Sequence, residues 1–221
     1  MEVFLLNKFY PISLNLKDRL CIVIGGGSVA ARRIHKLLES GAMVRIIAPD
    51  IVPTLQKLLE SNSSLSWFQA KYRGKEDLTA AYLVFAATDD SYLNEQIALD
   101  AESLNIFSNI ASNGILSDFI VPASFNQGDL QVSLSTSAKV PGLSKAISRD
   151  LEDLLGPEYS ALIMLLDQVR SLVLNSPNKE DQLNKFSQIT NNYQDILDKL
   201  YAGLSIDDIY KDLILQLGLE N

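Results

Sequence analysis

The sequence predicts an α/β protein: a doubly wound parallel sheet, then a small β segment, then a helical C-terminal part. Three observations carry this. Short apolar runs alternate with helix-spaced segments as far as Ile110. After Asn113-Gly114 the rhythm changes to strand-like alternation around Gly128-Asp129. From Ser148 onward the spacing is helical, and residues 151–221 hold −7 of the formal net charge of −8. The domains so predicted are 1–113, 114–147 and 148–221.

Met1 to Leu14 is apolar with Pro11 and reads as an edge segment ahead of the first strand. Leu16-Lys-Asp-Arg is a turn. Leu20–Ile24 has no polar alternation, as in a strand buried on both faces. Ser28–Glu39 has helical spacing and ends at Gly41. Met43–Ala48 is strand two, and Pro49-Asp50 starts a helix through Glu60. Leu65–Gln69 is strand three, Lys75–Ala81 a short helix and Tyr82–Ala87 strand four. Asp90–Ser103 is a helix capped by Asp89 or Asp90, and Asn105–Ile110 is strand five. Asp118–Phe125 and Leu130–Thr136 form a hairpin, with Val132 and Leu134 on one side and Gln131, Ser133 and Ser135 on the other. A lone hairpin is marginal in water, so it is expected to complete a sheet with a second copy, giving a homodimer. Pro141 opens a helix at its first turn. The predicted helices beyond are 151–155, 158–174, 180–190, 193–200 and 205–217, with Pro177 and Gly203 as punctuation.

Strand, glycine turn and helix are the setting of a phosphate-binding turn. Gly25-x-Gly27-x-x-Ala30 fits the dinucleotide form of it. Gly25 permits the tight turn, Gly27 lets backbone approach a pyrophosphate, and Ala30 lets helix and strand pack closely. The alternative is a tight turn with no ligand. Ligands of such sheets sit beyond the strands' carboxyl ends, which selects 25–29, 48–50, 87–90 and 109–113 as one rim. Asp50, 23 residues past Gly27, either faces an adenosine ribose or caps its helix. No arginine follows it closely, which favours NAD over NADP.

Composition narrows the classes further. The chain has 221 residues and is 47% hydrophobic, enough for a sizeable core. No apolar run approaches the roughly 18 residues of a membrane span, so no membrane partner is expected. The N-terminus lacks the order of a signal peptide. The single cysteine, Cys21, reads as a buried inert thiol in the first strand, consistent with a cytoplasmic protein. The acidic tail argues against nucleic acid. The single histidine, His35, reads as a surface residue. With one His and one Cys, no soft metal site is expected. Leu130–Arg149 carries Lys139, Lys145 and Arg149 and no acid, and is the stretch most suited to an anionic substrate. Its hydroxyls either bind that substrate or line a solvated strand face.

Several blocks occur together and in order: Val23-Ile-Gly-Gly-Gly-Ser-Val-Ala-Ala-Arg-Arg; Gly41-Ala-Met-Val-Arg-Ile-Ile-Ala-Pro; Phe85-Ala-Ala-Thr-Asp-Asp with Asn94 after it; Phe119-Ile-Val-Pro-Ala; and Gly128-Asp-Leu-Gln-Val-Ser-Leu-Ser-Thr. Over roughly residues 10–155 the chain resembles the precorrin-2 dehydrogenases, also found as the N-terminal part of siroheme synthases. The resemblance implies a Rossmann-like domain, NAD-dependent oxidation of precorrin-2 to sirohydrochlorin, and an interlocked homodimer. Some members also insert iron. By motif, the nucleotide contacts would be Gly25, Gly27, Ser28, Val29, Pro49, Asp50, Ala87 and Thr88. The family's hydroxyl after the last strand falls on Thr136, with Ser137 next and Lys139 close by as substrate-side groups.

One departure matters. Many members carry Asn-Val-Val-Asp at the end of strand five, and that aspartate is thought to serve oxidation and chelation alike. Here the stretch reads Asn109-Ile-Ala-Ser-Asn113, so Ser112 or Asn113 takes the catalytic place, with Asp118 the nearest acid. Neither Ser112 nor Asn113 is a carboxylate base. Two competing readings follow: a non-catalytic NAD-binding module, and a chelatase that ignores NAD.

Overall fold

The computed structural model describes residues 9–175 and 179–219. Expectations about Met1–Lys8 and Pro177 lie outside the described residues, and residues 9–14 belong to no strand. The chain divides into two compact units, one ending at Val121 and the other beginning at Pro122. Residues 114–121 thus go with the sheet, while 122–147 share a unit with the helices.

The first unit is a parallel five-stranded sheet. Its strands are β1 (Leu20–Ile24), β2 (Met43–Ile47), β3 (Leu65–Phe68), β4 (Leu83–Ala86) and β5 (Phe107–Ile110), in the order β3-β2-β1-β4-β5. Helices α1 (Ser28–Glu39), α2 (Pro53–Ser61) and α3 (Ser91–Ser103) connect them. The unbroken apolar run of β1 has a direct cause. Cys21 and Val23 enter one core with Ile34, Leu37 and Leu55 of α1 and α2. Ile22 and Ile24 enter another with Ile97, Ala98 and Ala101 of α3. With helices on both faces, alternation has nothing to encode. Cys21 is fully buried, and burial pushes its thiol up to about 11, so it stays protonated and inert. His35 is exposed, as expected.

Strand order reverses between β1 and β4. A crevice opens at such a switch point beyond the carboxyl ends of the strands. Ile24 pairs in register with Ile47 and with Ala86, and Ala86 with Ile110. These four residues end their strands at one level, so the loops after them share one rim.

The second helix differs from expectation. It starts at Pro53, not at Pro49. Val52 is extended (ψ 152°), as the residue before proline prefers, and Pro53 sits in the first turn. Residues 49–52 cross the glycine loop instead, with Val52 N–H donating to Gly26 O at 2.9 Å. The Lys75–Ala81 helix is reduced to a 3-10 turn at Lys75–Leu78.

The second unit begins with the antiparallel hairpin β6 (Ala123–Gln127) and β7 (Leu130–Leu134). Gln131 and Ser133 are exposed and Val132 and Leu134 half-buried, the alternation expected. Gly128 turns the hairpin at φ +58°, and a Cβ there would lie 2.1 Å from Ser160 Oγ. Only glycine allows this approach. Helix α4 (Pro141–Leu154) packs on both strands. Two expectations are corrected here. The hairpin is not without partners in its own chain, so its marginality no longer argues for a dimer. Nor does a helix start afresh near Leu151: α4 is continuous across residue 148, because nothing between Leu143 and Leu154 breaks it. Helices α5 (Glu158–Val173), α6 (Lys179–Asn191), α7 (Tyr193–Tyr201) and α8 (Ile206–Gln216) enclose Leu165, Val169, Ile196, Leu197, Ile209 and Leu213.

Candidate dinucleotide site

The three glycines after β1 have three different jobs. Gly25 lies at φ +116°, and a Cβ on it would sit 2.4 Å from Ala87 O. Its N–H donates to Ile47 O at 3.0 Å. The loop is therefore pressed between the ends of β2 and β4, which brings Gly25 against Ala87 and Thr88. A Cβ on Gly26 would lie 2.0 Å from Asp50 O. Gly27 faces the other way: a Cβ there would meet nothing within 4 Å.

That empty side marks a cradle. Gly27 is the N-cap of α1, at φ −83° and ψ −172°, and no side chain caps the helix. The first N–H groups of a helix have no partner within it and carry its positive end. Ser28 beside them is exposed and Val29 half-buried. The arrangement fits a dinucleotide: backbone donors face open space, and packing fills the space behind the loop.

At the end of β2, Pro49 and Asp50 are both exposed. Asp50 does not cap α2, whose N-cap is Val52 with no side-chain hydrogen bond. The capping alternative is thereby removed, and Asp50 stays exposed beyond the carboxyl end of β2. Trp67 Nε1–H donates to Ala48 O at 2.9 Å and Gln69 Nε2–H to Pro49 O at 3.2 Å, which pins this corner of the rim.

The other half of the rim carries Thr88 and Ser112, joined through Asn94. Asn94 is only 1% exposed. Its Nδ2 donates to Thr88 O at 3.0 Å and to Ser112 Oγ at 3.0 Å, and its Oδ1 accepts from Thr88 Oγ1 at 2.8 Å. The amide ties the loop after β4 to the loop after β5. Asn113 sits beside Ser112, but its Oδ1 accepts from Ile115 N–H at 3.0 Å and caps a 3-10 turn at Gly114–Leu116.

Asp118 is placed differently. Its Oδ2 accepts from Ser108 N–H at 2.8 Å and Ser108 Oγ at 3.1 Å, and its own N–H donates to Ser108 O at 3.0 Å. These bonds close the free edge of β5. Ser108 pairs with Val84, two positions below the ends of the strands. At the rise of a strand this is roughly 7 Å from the rim. The structure does not bring Asp118 together with Ser112.

Thr136, Ser137 and Lys139 lie in the second unit. Thr136 Oγ1 accepts from Val140 N–H at 3.1 Å and meets the buried Ser144 Oγ at 3.0 Å. Its hydroxyl is engaged in holding the start of α4. Ser137 and Ala138 adopt φ +52° and +60°, a region side chains enter at a cost. Ser137 and Lys139 are exposed.

Two roles at the rim escaped sequence reasoning. Gly26 reads as filler in Gly-x-Gly until the crossing chain is seen. Asn94 reads only as part of the Phe85-Ala-Ala-Thr-Asp-Asp block; its role as the link between Thr88 and Ser112 does not show there. Among the described residues, no group of three or more His, Cys, Asp or Glu side chains could hold a metal. No described helix is long and apolar enough to cross a membrane.

Sheet order, switch point and cradle define a dinucleotide-binding protein of Rossmann type. A family model described as NAD(P)-binding matches residues 12–123, half of the chain, and the chain belongs to that family. Among curated relatives, the siroheme synthase of Photorhabdus laumondii is 33% identical over 165 residues, 75% of this chain and 35% of that protein. The siroheme synthase of Pseudoalteromonas atlantica is 32% identical over 193 residues, 86% of this chain and 40% of that protein. The chain thus spans little more than a third of the length of these relatives. The solved structure of SirC, precorrin-2 dehydrogenase, superposes with a TM-score of 0.75 at 26% identity, covering 96% of this chain and 100% of that one. These matches agree with the resemblance read from the sequence.

Proposed function

We propose that the chain is an NAD-dependent precorrin-2 dehydrogenase, oxidising precorrin-2 to sirohydrochlorin on the route to sirohaem. The observation that carries this is the end-to-end likeness to SirC, precorrin-2 dehydrogenase, in a chain whose glycine cradle fits a dinucleotide. NAD, when bound, would take a hydride from the substrate, and the proton lost with it would pass to water. Gly25, Gly27, Ser28 and Val29 hold the pyrophosphate by backbone donors and the positive end of α1. Asp50, with Pro49, takes the adenosine ribose, and the lack of a nearby arginine favours NAD over NADP. Ala87 and Thr88 line the half of the rim left for the nicotinamide. Ser137 and Lys139 meet the substrate's carboxylates, and Thr136 holds the turn that presents them. Ser112, Asn113 and Asp118 supply no base at the rim, so the reaction rests on positioning of the two reactants.

Anaerobic incubation with precorrin-2 tests the reading. NADH should form in step with sirohydrochlorin, and NADP should support a much lower rate. NAD binding without turnover would replace the dehydrogenase with a non-catalytic module. Sirohydrochlorin metallation without nucleotide binding would replace it with a chelatase.

Residues 114–147 are proposed to carry the dimer contact, in a cytoplasmic enzyme. Among the described residues β7 pairs with β6 alone, and a strand with one partner can take another from a second copy. Sedimentation should give twice the chain mass of 24.4 kDa at micromolar concentration. A monomer would end the proposal.

A further inference from the structure

We infer that Asn94 fixes the direction of the Ser112 hydroxyl, making Ser112 a hydrogen-bond donor to the nicotinamide end of the bound dinucleotide. The inference deepens the proposed function and rests on it. It starts from an atom that can only accept. Thr88 O is a backbone carbonyl, so the Asn94 atom 3.0 Å from it is the amide nitrogen. That settles which way the side chain is turned. Asn94 Oδ1 then faces Thr88 Oγ1 at 2.8 Å, whose one proton also has Asp90 O within 3.1 Å. The second N–H of Nδ2 is directed to Ser112 Oγ at 3.0 Å.

The network therefore has one polarity. The Asn94 amide gives one hydrogen to Thr88 O and the other to Ser112 Oγ. Because Ser112 Oγ accepts from Asn94, its own proton is left for something else. Ser112 is exposed and follows the end of β5, whereas Asn94 is buried. The proton is thus offered at the rim, not to the interior. Asp50 and the glycine cradle place the adenosine half over β1 and β2, so the nicotinamide half falls over β4 and β5, where Ser112 stands. Its carboxamide oxygen is an acceptor of the right kind. Asn94 touches no ligand; it is a positioning residue.

The test compares two ligands that differ only in the nicotinamide. Dissociation constants for NAD and for ADP-ribose are measured by calorimetry on the full chain, which needs no turnover. In Ser112→Ala, NAD should bind roughly 3- to 10-fold more weakly, the range for one lost neutral hydrogen bond. ADP-ribose should bind as before. Ser112→Thr, which keeps the hydroxyl, should restore most of the NAD affinity. Asn94→Asp replaces the donor with an acceptor and draws the Ser112 proton inward. It should reproduce the NAD-selective loss although Ser112 is intact. Should that variant not fold, the Ser112 pair decides alone. Equal changes for both ligands, or none in Ser112→Ala, would overturn the inference. Failure of the unmodified chain to bind either ligand would overturn the functional reading, and this inference with it.

Discussion

A Gly27→Asp variant is expected to fold as the unmodified chain does and to bind NAD at least about 100-fold more weakly. Both halves come from the same geometry. The position has an ordinary backbone, φ −83° and ψ −172°, and a Cβ there meets nothing within 4 Å. Aspartate is also a favoured N-cap, a few tenths of a kcal/mol better than glycine. Its carboxylate would accept from the first N–H groups of α1, which are the groups the pyrophosphate needs. Ligand and side chain then compete for one set of donors, and two negative charges meet at a few ångströms, worth about 4 kcal/mol at intermediate dielectric. Gly26→Ala should do the reverse. Its single methyl would stand 2.0 Å from Asp50 O and 2.9 Å from Ile51 Cα, both backbone atoms. Overpacking of this kind costs roughly 1–3 kcal/mol or more, so that variant should lose stability first and NAD with it. Thermal melts beside calorimetric NAD titrations separate the two. Unchanged NAD affinity in folded Gly27→Asp would remove the dinucleotide site from this loop.

The parts legible in the sequence are those where a local pattern has one physical cause. An apolar β1 with no alternation needs helices on both faces, and Gly-x-Gly between strand and helix needs a tight turn. Cores on both sides of β1 and the packed back of the loop bear this out. The errors lie where a distant element decides. Pro49-Asp50 has the composition of a helix start, but those residues are used to cross Gly26, and the helix waits for Pro53. The hairpin looked unsupported because nothing local says that α4 will cover it. Asn94 was invisible as a link because its partners, Thr88 and Ser112, lie on two loops that only the register of β4 with β5 brings together. Asp118 was attractive as the nearest acid in sequence; the edge of β5 claims it for Ser108.

Those placements sharpen the expectation for metal. The unmodified chain should oxidise precorrin-2 but insert iron into sirohydrochlorin weakly, at a rate about 100-fold or more below that of a protein with a rim carboxylate. Hydride transfer depends on holding the reactants together. Metal insertion must remove two pyrrole protons as the metal enters, against the one lost in the oxidation, and a positioned base is typically worth 10²–10⁴-fold. Ser112 is a hydroxyl whose Oγ accepts from Asn94, and the Asn113 side chain accepts from Ile115 N–H. Asp118 is an acid, but it sits two strand positions below the rim with its oxygen on Ser108. Asp118→Asn keeps an acceptor for Ser108 and should leave the oxidation rate within about twofold, since its carboxylate is held on Ser108 at the edge of β5 and not at the rim. Ser112→Asp and Asn113→Asp should each raise iron insertion more than oxidation. In Ser112→Asp the new carboxylate would accept from Asn94, and a hydrogen bond to the charged form lowers its pKa. It would be ionised at neutral pH and a weaker base for it, so Asn113→Asp should give the larger gain. Both rates across the three variants decide the matter. Robust iron insertion by the unmodified chain, insensitive to Asp118→Asn, would show that no carboxylate is needed here and that the protons leave by another route.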